Sequence, residues 1–380
     1  MRNFLRIILY KPILKIAAKF SSKPKRERIF EALGKLYTEI HTNPGKKGLV
    51  IPFVESAGKF IIFSDQHKGR RNGADDFTPC EANYLHALEY YNGHDFCFIN
   101  LGDSEELWEN NIWQVKKKNK EVFDTEKKFI RRSKYIKIFG NHDLFWDNDP
   151  LAWWHLKDIY GEKIKVYEGV ILELLARDQE PGVKTADAEL PISGSPLTIF
   201  LTHGHQGDAQ SDGNWFSKFF VANIWAPLQA FLRINPNTPA YDAEKKTLHN
   251  NIMYEWSLEQ KNVVLITGHT HQPVFGSLTY LERLYKNFQQ AIHTNDKSRE
   301  EEIRREIRRR ENEFTSISID YMKMKPSYFN TGCCCFDDGD ITGIEIANGY
   351  IRLVKWSGKN ALTERILLEE ASLEQLMGQL

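Results

Sequence analysis

Five cysteines in 380 residues, three of them consecutive, are too few and too clustered for a disulfide framework. Cys80 and Cys97 stand alone and Cys333, Cys334 and Cys335 are adjacent, so a reducing, cytoplasmic setting is expected rather than secretion. No run of roughly 18 apolar residues occurs, which excludes a hydrophobic helix across a bilayer. An apolar leader is missing too, because Arg6, Lys11, Lys15 and Lys19 interrupt any such core, and no signal peptide is expected. Charge of one sign is absent: 51 Lys and Arg balance 51 Asp and Glu. No global field therefore recruits nucleic acid or an acidic partner. There is no internal repeat. What remains is 41% hydrophobic residues, enough for a substantial core, in a length that admits two or three average domains or one large domain with insertions.

Five short apolar stretches end in polar residues of one kind. Tyr135-Ile136-Lys137-Ile138-Phe139 runs into Gly140-Asn141-His142-Asp143. Phe60-Ile61-Ile62-Phe63-Ser64 runs into Asp65-Gln66-His67, and Phe96 to Leu101 into Gly102-Asp103. Leu197 to Leu201 leads to His203-Gly204-His205, and Val263 to Ile266 to Gly268-His269-Thr270-His271. Each stretch reads as a buried strand. A strand that stops at glycine and then offers Asp, Asn or His presents those side chains from a rigid edge.

From about residue 50 to 275 strands alternate with helical segments, which argues for a layered α/β domain. Residues 1–48 precede it as a helical extension. Lys11, Lys15 and Lys19 recur at helical spacing, which suits peripheral contact with an anionic membrane surface at its inner face, or a helix packed on the domain with its lysines in water. The packed helix is preferred, and Arg26 to His41 reads as a second amphipathic helix. The main domain is expected over 49–360, with helical insertions at about 208–260 and 278–325.

The first insertion places Trp215, Phe216, Phe219, Phe220, Ile224, Trp225, Leu228, Phe231 and Leu232 at helical spacing, as core or as an apolar lid. The second carries Glu300/Arg304, Glu301/Arg305 and Glu306/Arg310 pairs four apart, the pattern of an exposed helix or half of a hairpin. Its interleaved acids disfavour nucleic acid. Strands resume over Ser327 to Phe336, with the cysteine run inside one as buried thiols. A hairpin follows, turning at Asn348-Gly349. A peripheral helix is expected over about 362–378, within a C-terminal unit at 361–380. His41, His86, His94, His155, His249 and His293 fall outside every block.

In order and context the five blocks resemble the signature of the calcineurin-like metallophosphoesterases, over roughly residues 58–275. The resemblance implies a four-layer αββα sandwich with helical insertions, an α/β or α+β fold. It also implies that Asp65, His67 and His271 hold one metal, that Asn141, His203 and His269 hold another, and that Asp103 bridges both. Seven such side chains are too many for one tetrahedral ion but suit two. Mixed imidazole, carboxylate and amide donors suit Mn, Fe or Zn. A pair about 3.5–4 Å apart can clamp an in-line phosphoryl displacement.

His142 matches the family's histidine that is not a ligand and serves the leaving oxygen, and Glu106 the acid that orients it. Arg70, Arg71, Asp143 and His205 are candidates for substrate contact, with Asp143 alternatively fixing its loop. The expected activity is hydrolysis of a phosphomonoester, phosphodiester or pyrophosphate bond in a nucleotide- or lipid-linked small molecule. The Asp65-Gln66-His67, Gly102-Asp103-x-x-Glu106 and His203-Gly204 blocks, with the aromatic insertion between the fourth and fifth blocks, are similar to the branch that contains UDP-2,3-diacylglucosamine hydrolase, although the length and the long charged insertion after His271 depart from it. A nuclease or cyclic-nucleotide phosphodiesterase is the alternative, and a metal-binding scaffold without catalysis the third reading.

Overall fold

The structure, a computed structural model, describes residues 24–72, 75–175, 197–207, 243–310, 324–358 and 363–380. Its strands, in chain order, are β1 (Gly48–Phe53), β2 (Lys59–Phe63), β3 (Cys97–Leu101), β4 (Tyr135–Ile138), β5 (Val166–Tyr167), β6 (Gly169–Leu174) and β7 (Thr198–Thr202). They continue with β8 (Val263–Thr267), β9 (Val274–Phe275), β10 (Leu278–Thr279), β11 (Tyr328–Asn330), β12 (Ile341–Ala347), β13 (Tyr350–Ser357) and β14 (Glu364–Ser372). Two seven-stranded sheets result, in the orders β1-β6-β7-β8-β11-β9-β10 and β14-β13-β12-β2-β3-β4-β5.

Side-chain alternation builds the layers. Phe60 and Ile62 of β2, Ile99 and Leu101 of β3, and Ile136 and Ile138 of β4 point inward. There they meet Val170 and Leu172 of β6, Ile199 and Leu201 of β7, and Val264 and Ile266 of β8 in one core between the sheets. The intervening residues face out. Ile61, Phe63 and Phe98 pack under helices Glu81–Gly93 and Lys120–Arg131. Ile171, Phe200 and Leu265 pack under helices Arg26–Thr42 and Ala243–Glu259. The result is the expected α/β sandwich. A one-residue slip of β2 would exchange its two faces, but each buried Ile or Phe contributes about 1.5–3 kcal/mol, so the register is firmly specified.

The strands β2, β3 and β4 run parallel to one another, and so do β7 and β8. Their carboxyl ends carry the five polar blocks. The expected pair formed by Val166 to Leu175 and Leu197 to Leu201 is the antiparallel β6–β7 ladder. The Asn348-Gly349 hairpin joins β12 and β13.

Two expectations need correction, and a third takes the second of its two expected forms. The segment 362–378 is not one helix: Glu364–Ser372 is a strand paired with β13, and only Leu373–Gln379 is helical. Its apolar residues suit either state in isolation, and pairing with the open edge of β13 supplies the ladder hydrogen bonds that decide it. The Cys333–Cys335 run lies past β11 in a loop, although all three thiols are buried. The charged insertion is a helical hairpin, Tyr280–His293 and Lys297–Arg310, whose Ile303 and Ile307 are buried against Leu281, Leu284 and Ala291. A capping box of Thr279 and Glu282 starts it.

The basic stretch at 11–19 and the aromatic cluster between 215 and 232 lie outside the described residues. Among the described residues no helix is long and apolar enough to cross a membrane.

Candidate metal centre

Asp65 and His67 follow β2, Asp103 follows β3, and Asn141 and His142 follow β4 on one sheet. His203 follows β7, and His269 and His271 follow β8 on the other. Five of these, Asp65, His67, Asp103, His269 and His271, adopt left-handed backbone with φ between 49° and 69°. Non-glycine residues rarely sit there, and such positions persist only where surrounding bonds over-determine them. Here they do. Asp65 N–H donates to Gly102 O at 3.0 Å, His67 N–H to Asp103 O at 2.9 Å, and Gly268 N–H to His203 O at 3.0 Å. The Asp65 carboxylate also accepts from the His269 N–H, at 3.0 Å to Oδ2. The glycines are there for close approach: a Cβ on Gly140 would lie 2.6 Å from Asp103 N, and one on Gly268 2.5 Å from Asp65 Oδ2.

The side chains converge in two groups. His271 Nε2 lies 3.2 Å from Asp65 Oδ1 and 3.2 Å from His67 Nε2. Asn141 Oδ1 lies 3.2 Å from His203 Nε2 and 2.9 Å from His269 Nδ1. Asp103 stands between them, its Oδ2 3.1 Å from His203 Nε2 and 3.8 Å from His67 Nε2.

The tautomers test whether cations fit. His67 Nδ1 meets Glu106 Oε2 at 2.9 Å, and His203 Nδ1 meets Leu101 O at 2.9 Å. Both contacts require the proton on Nδ1, which leaves Nε2 of each neutral ring as a lone pair aimed into the cluster. Those lone pairs face carboxylate, amide and imidazole acceptors at about contact distance. A positive species reconciles them, a proton in the metal-free pocket or a metal ion in its place, so the donor set fits divalent metal ions.

The electrostatics agree. Burial lowers the proton affinity of His67, but Glu106, Asp103 and Asp65 outweigh it and raise its pKa to about 10. His203 and His271 each reach about 9 against the same burial penalty, through Asp103 and Asp65 respectively. Burial would raise Asp65 and Asp103, yet the surrounding histidines hold both below the ordinary carboxylate range. The pocket is one that favours added positive charge.

His142 takes another position. Its N–H donates to Asp103 Oδ1 at 2.7 Å, its Nδ1 meets Glu106 Oε2 at 2.7 Å, and its ring stacks on Trp108 at 4.8 Å. Glu106 thus orients His67 and His142 with a single oxygen. The Asp143 carboxylate is fully buried and accepts from Ser104 N–H at 2.9 Å and Gly140 N–H at 2.5 Å. Both its oxygens are engaged by backbone N–H groups of these loops, the arrangement of the loop-fixing alternative. The Arg71 guanidinium is paired with Glu81, while Arg70 is half-buried in the same loop. His205 is buried behind His203, with no partner for Nδ1 among the described residues, and burial and then His203 push it down to about 3.

Several neighbours carried no sequence signal. Lys68, Glu105, Glu126 and Lys137 form a buried ion network directly behind the cluster. His249, placed in no block, meets Gly204 O through Nε2 at 2.8 Å. Glu109 sits near Glu106 and His142, and burial and then Glu106 raise it to about 8. Cys335 comes within 4.8 Å of His67 and His271 donor atoms. An adjacent Lys-x-x-x or Cys-Cys-Cys run gives no hint of these contacts, since each depends on which loops the sheets bring together.

A family model described as calcineurin-like phosphoesterase matches residues 58–273. Comparison with curated proteins finds no match.

Proposed function

The chain belongs to the calcineurin-like phosphoesterases, metal-dependent hydrolases of phosphoric esters, and from that premise we propose that it works with two divalent ions of manganese, iron or zinc. Asp65, His67 and His271 would hold one, Asn141, His203 and His269 the other, and Asp103 both. The observation that carries this reading is the pair of Nδ1 contacts, to Glu106 and to Leu101 O, which turn Nε2 of His67 and of His203 toward separate groups of acceptors on either side of Asp103. When bound, such ions supply Lewis-acid polarisation of phosphoryl oxygen and a lowered pKa for water.

The substrate is a phosphomonoester, phosphodiester or pyrophosphate in a nucleotide- or lipid-linked small molecule. His142 is the residue that moves a proton. Burial opposes its charging, but Glu106 and Asp103 outweigh burial and raise its pKa above the ordinary imidazole value, which favours the protonated ring that a general acid needs. With Nδ1 held by Glu106, Nε2 is the atom that gives a proton to the leaving oxygen as the ester bond breaks. Trp108 and Glu106 keep the ring from rotating, and Asp143 keeps the turn from which it projects.

The test is reconstitution of metal-free protein with manganese, iron or zinc, followed by metal counting and assay on p-nitrophenyl phosphate and bis-p-nitrophenyl phosphate. Two ions per chain are expected. His142→Ala should keep both ions while turnover falls by about 10²–10⁴-fold. Fewer than two ions in the wild type would overturn the dinuclear centre, and an unchanged rate would remove His142 from the reaction. A panel of nucleotide diphosphate conjugates then separates the substrate classes.

A further inference from the structure

We infer that Cys335 is a positioning residue for the metal centre: its sulfur takes the far nitrogen of His271 and so fixes the ring that offers Nε2 to an ion. The inference rests on the reading that Asp65, His67 and His271 share that ion. His271 uses its two nitrogens differently. Nε2 faces Asp65 Oδ1 and His67 Nε2, each at 3.2 Å, whereas Nδ1 faces Cys335 Sγ at 3.6 Å. The same division holds at His67, where Glu106 takes Nδ1, and at His203, where Leu101 O takes it. A ligating imidazole whose second nitrogen is held by an acceptor is oriented and made more basic. At His271 that acceptor is sulfur.

The fold puts it there deliberately in the structural sense. Cys334 N–H donates to Asp65 O at 3.1 Å, and Thr342 N–H donates to Cys333 O at 3.0 Å. These bonds staple the cysteine loop to the Asp65 loop on one side and to β12 on the other. Gly332, with φ of 76°, makes the turn into the loop where a Cβ would collide with Thr342 and lie 2.7 Å from Pro273. Cys334 then packs into the core beneath helix Glu81–Gly93. Cys333 and Cys335 hydrogen-bond to each other, and Cys333 also hydrogen-bonds to the His271 ring, so the two thiols hold it together. The side chain is 8% exposed, so water cannot readily replace the sulfur as acceptor.

The experiment measures zinc affinity by calorimetry on metal-free wild type, Cys335→Ala, Cys335→Ser and His271→Ala, each checked for an unchanged thermal melt. Cys335→Ala is expected to weaken the ion at His271 by roughly 10–100-fold, the usual effect of losing such a partner. Cys335→Ser, whose hydroxyl can still accept from Nδ1–H, should fall between, and it carries the test if the alanine variant melts early. Cobalt-loaded wild type should lack a sulfur-to-cobalt charge-transfer band. Such a band would overturn the inference by making the sulfur itself a ligand. Wild-type affinity in both cysteine variants, with loss in His271→Ala, would overturn it while leaving the ion where it is assigned. Unchanged affinity in His271→Ala would remove the ion from His271, and the inference with it.

Discussion

Two buried charged clusters lie back to back beneath the ends of β2, β3 and β4, and they solve the cost of burial in opposite ways. In the rear cluster Lys68 Nζ meets Glu126 Oε1 at 2.7 Å and Glu105 Oε1 at 3.3 Å, and Lys137 Nζ meets Glu105 Oε2 at 2.9 Å. Trp146 Nε1–H donates at 2.7 Å to Glu105 Oε2, beside Lys137, and Tyr160 O–H donates at 2.7 Å to Glu126 Oε2, the one oxygen neither lysine reaches. Two lysines and two glutamates balance, and the cluster needs nothing from outside. The front cluster has Asp65, Asp103 and Glu106 with histidines whose lone pairs point inward. Among the described residues its only cations are imidazoles that bind a proton tightly in the metal-free pocket, and a metal ion would displace those protons. The difference teaches how to tell a scaffold from a site: buried charges that neutralise one another stabilise position, whereas buried acceptors that face one another await a ligand. The two are joined in sequence, since Lys68 follows His67 and Glu105 precedes Glu106. A parallel bridge between Lys68 and Glu105 ties the loops together.

The comparison can be broken most forcefully at Asp103. Asp103→Ala should strip metal from the front cluster, lowering affinity by more than the roughly 100-fold upper figure for an outer partner, with turnover lost alongside. Full metal content in that variant, by elemental analysis, would abolish the proposed division of labour. Lys68→Met asks the reverse question of the rear cluster. Leaving Glu126 and Glu105 short of a cation should cost about 3–5 kcal/mol in urea unfolding, while the folded fraction still binds metal. Metal loss without a loss of stability would show that the rear cluster is part of the site.

A pH experiment sharpens the same contrast. Burial pushes the Glu105 carboxyl up, but Lys137 and Lys68 pull it further down, from 4.5 to about 2. A carboxyl depressed in the folded state contributes stability that is fully present above its unfolded value. That contribution is lost as pH falls from about 4.5 toward 2. Glu105→Gln should therefore flatten the acid limb of the stability curve, and an unaltered limb would contradict the assignment. The smallest effect is expected far from both clusters. Arg304 and Glu300 pair at 2.6 Å on the exposed face of the helical hairpin. Arg304→Ala should change stability by no more than about 0.5 kcal/mol, measured by thermal melting.

Much of the front cluster was legible because its residues sit next to strand ends, and strand ends are readable from alternation and glycine. The turn at Gly140 and the pairing of β12 with β13 at Asn348-Gly349 are local events with local signals. Cys335 was not legible for a physical reason: its loop is 64 residues beyond His271 in the chain, and adjacency in sequence says nothing of a contact made through Asp65 O. The edge strand β14 was misread as helix because its half-exposed apolar and acidic residues satisfy either period, and only the free edge of β13 chooses between them. Asp143 reads as a polar group beside a histidine, yet both its oxygens are engaged by backbone N–H groups that only the folded loops supply.

The amino-acid sequence by itself determined the five strand-to-loop blocks and the donor types they carry, since periodicity, glycine and side-chain chemistry are properties of short stretches. Tertiary structure alone decided which nitrogen of each histidine faces the cluster, which carboxylates are already paired, and where the cysteine loop rests. Those depend on distances across two packed sheets, set by burial and hydrogen bonding among residues hundreds of positions apart.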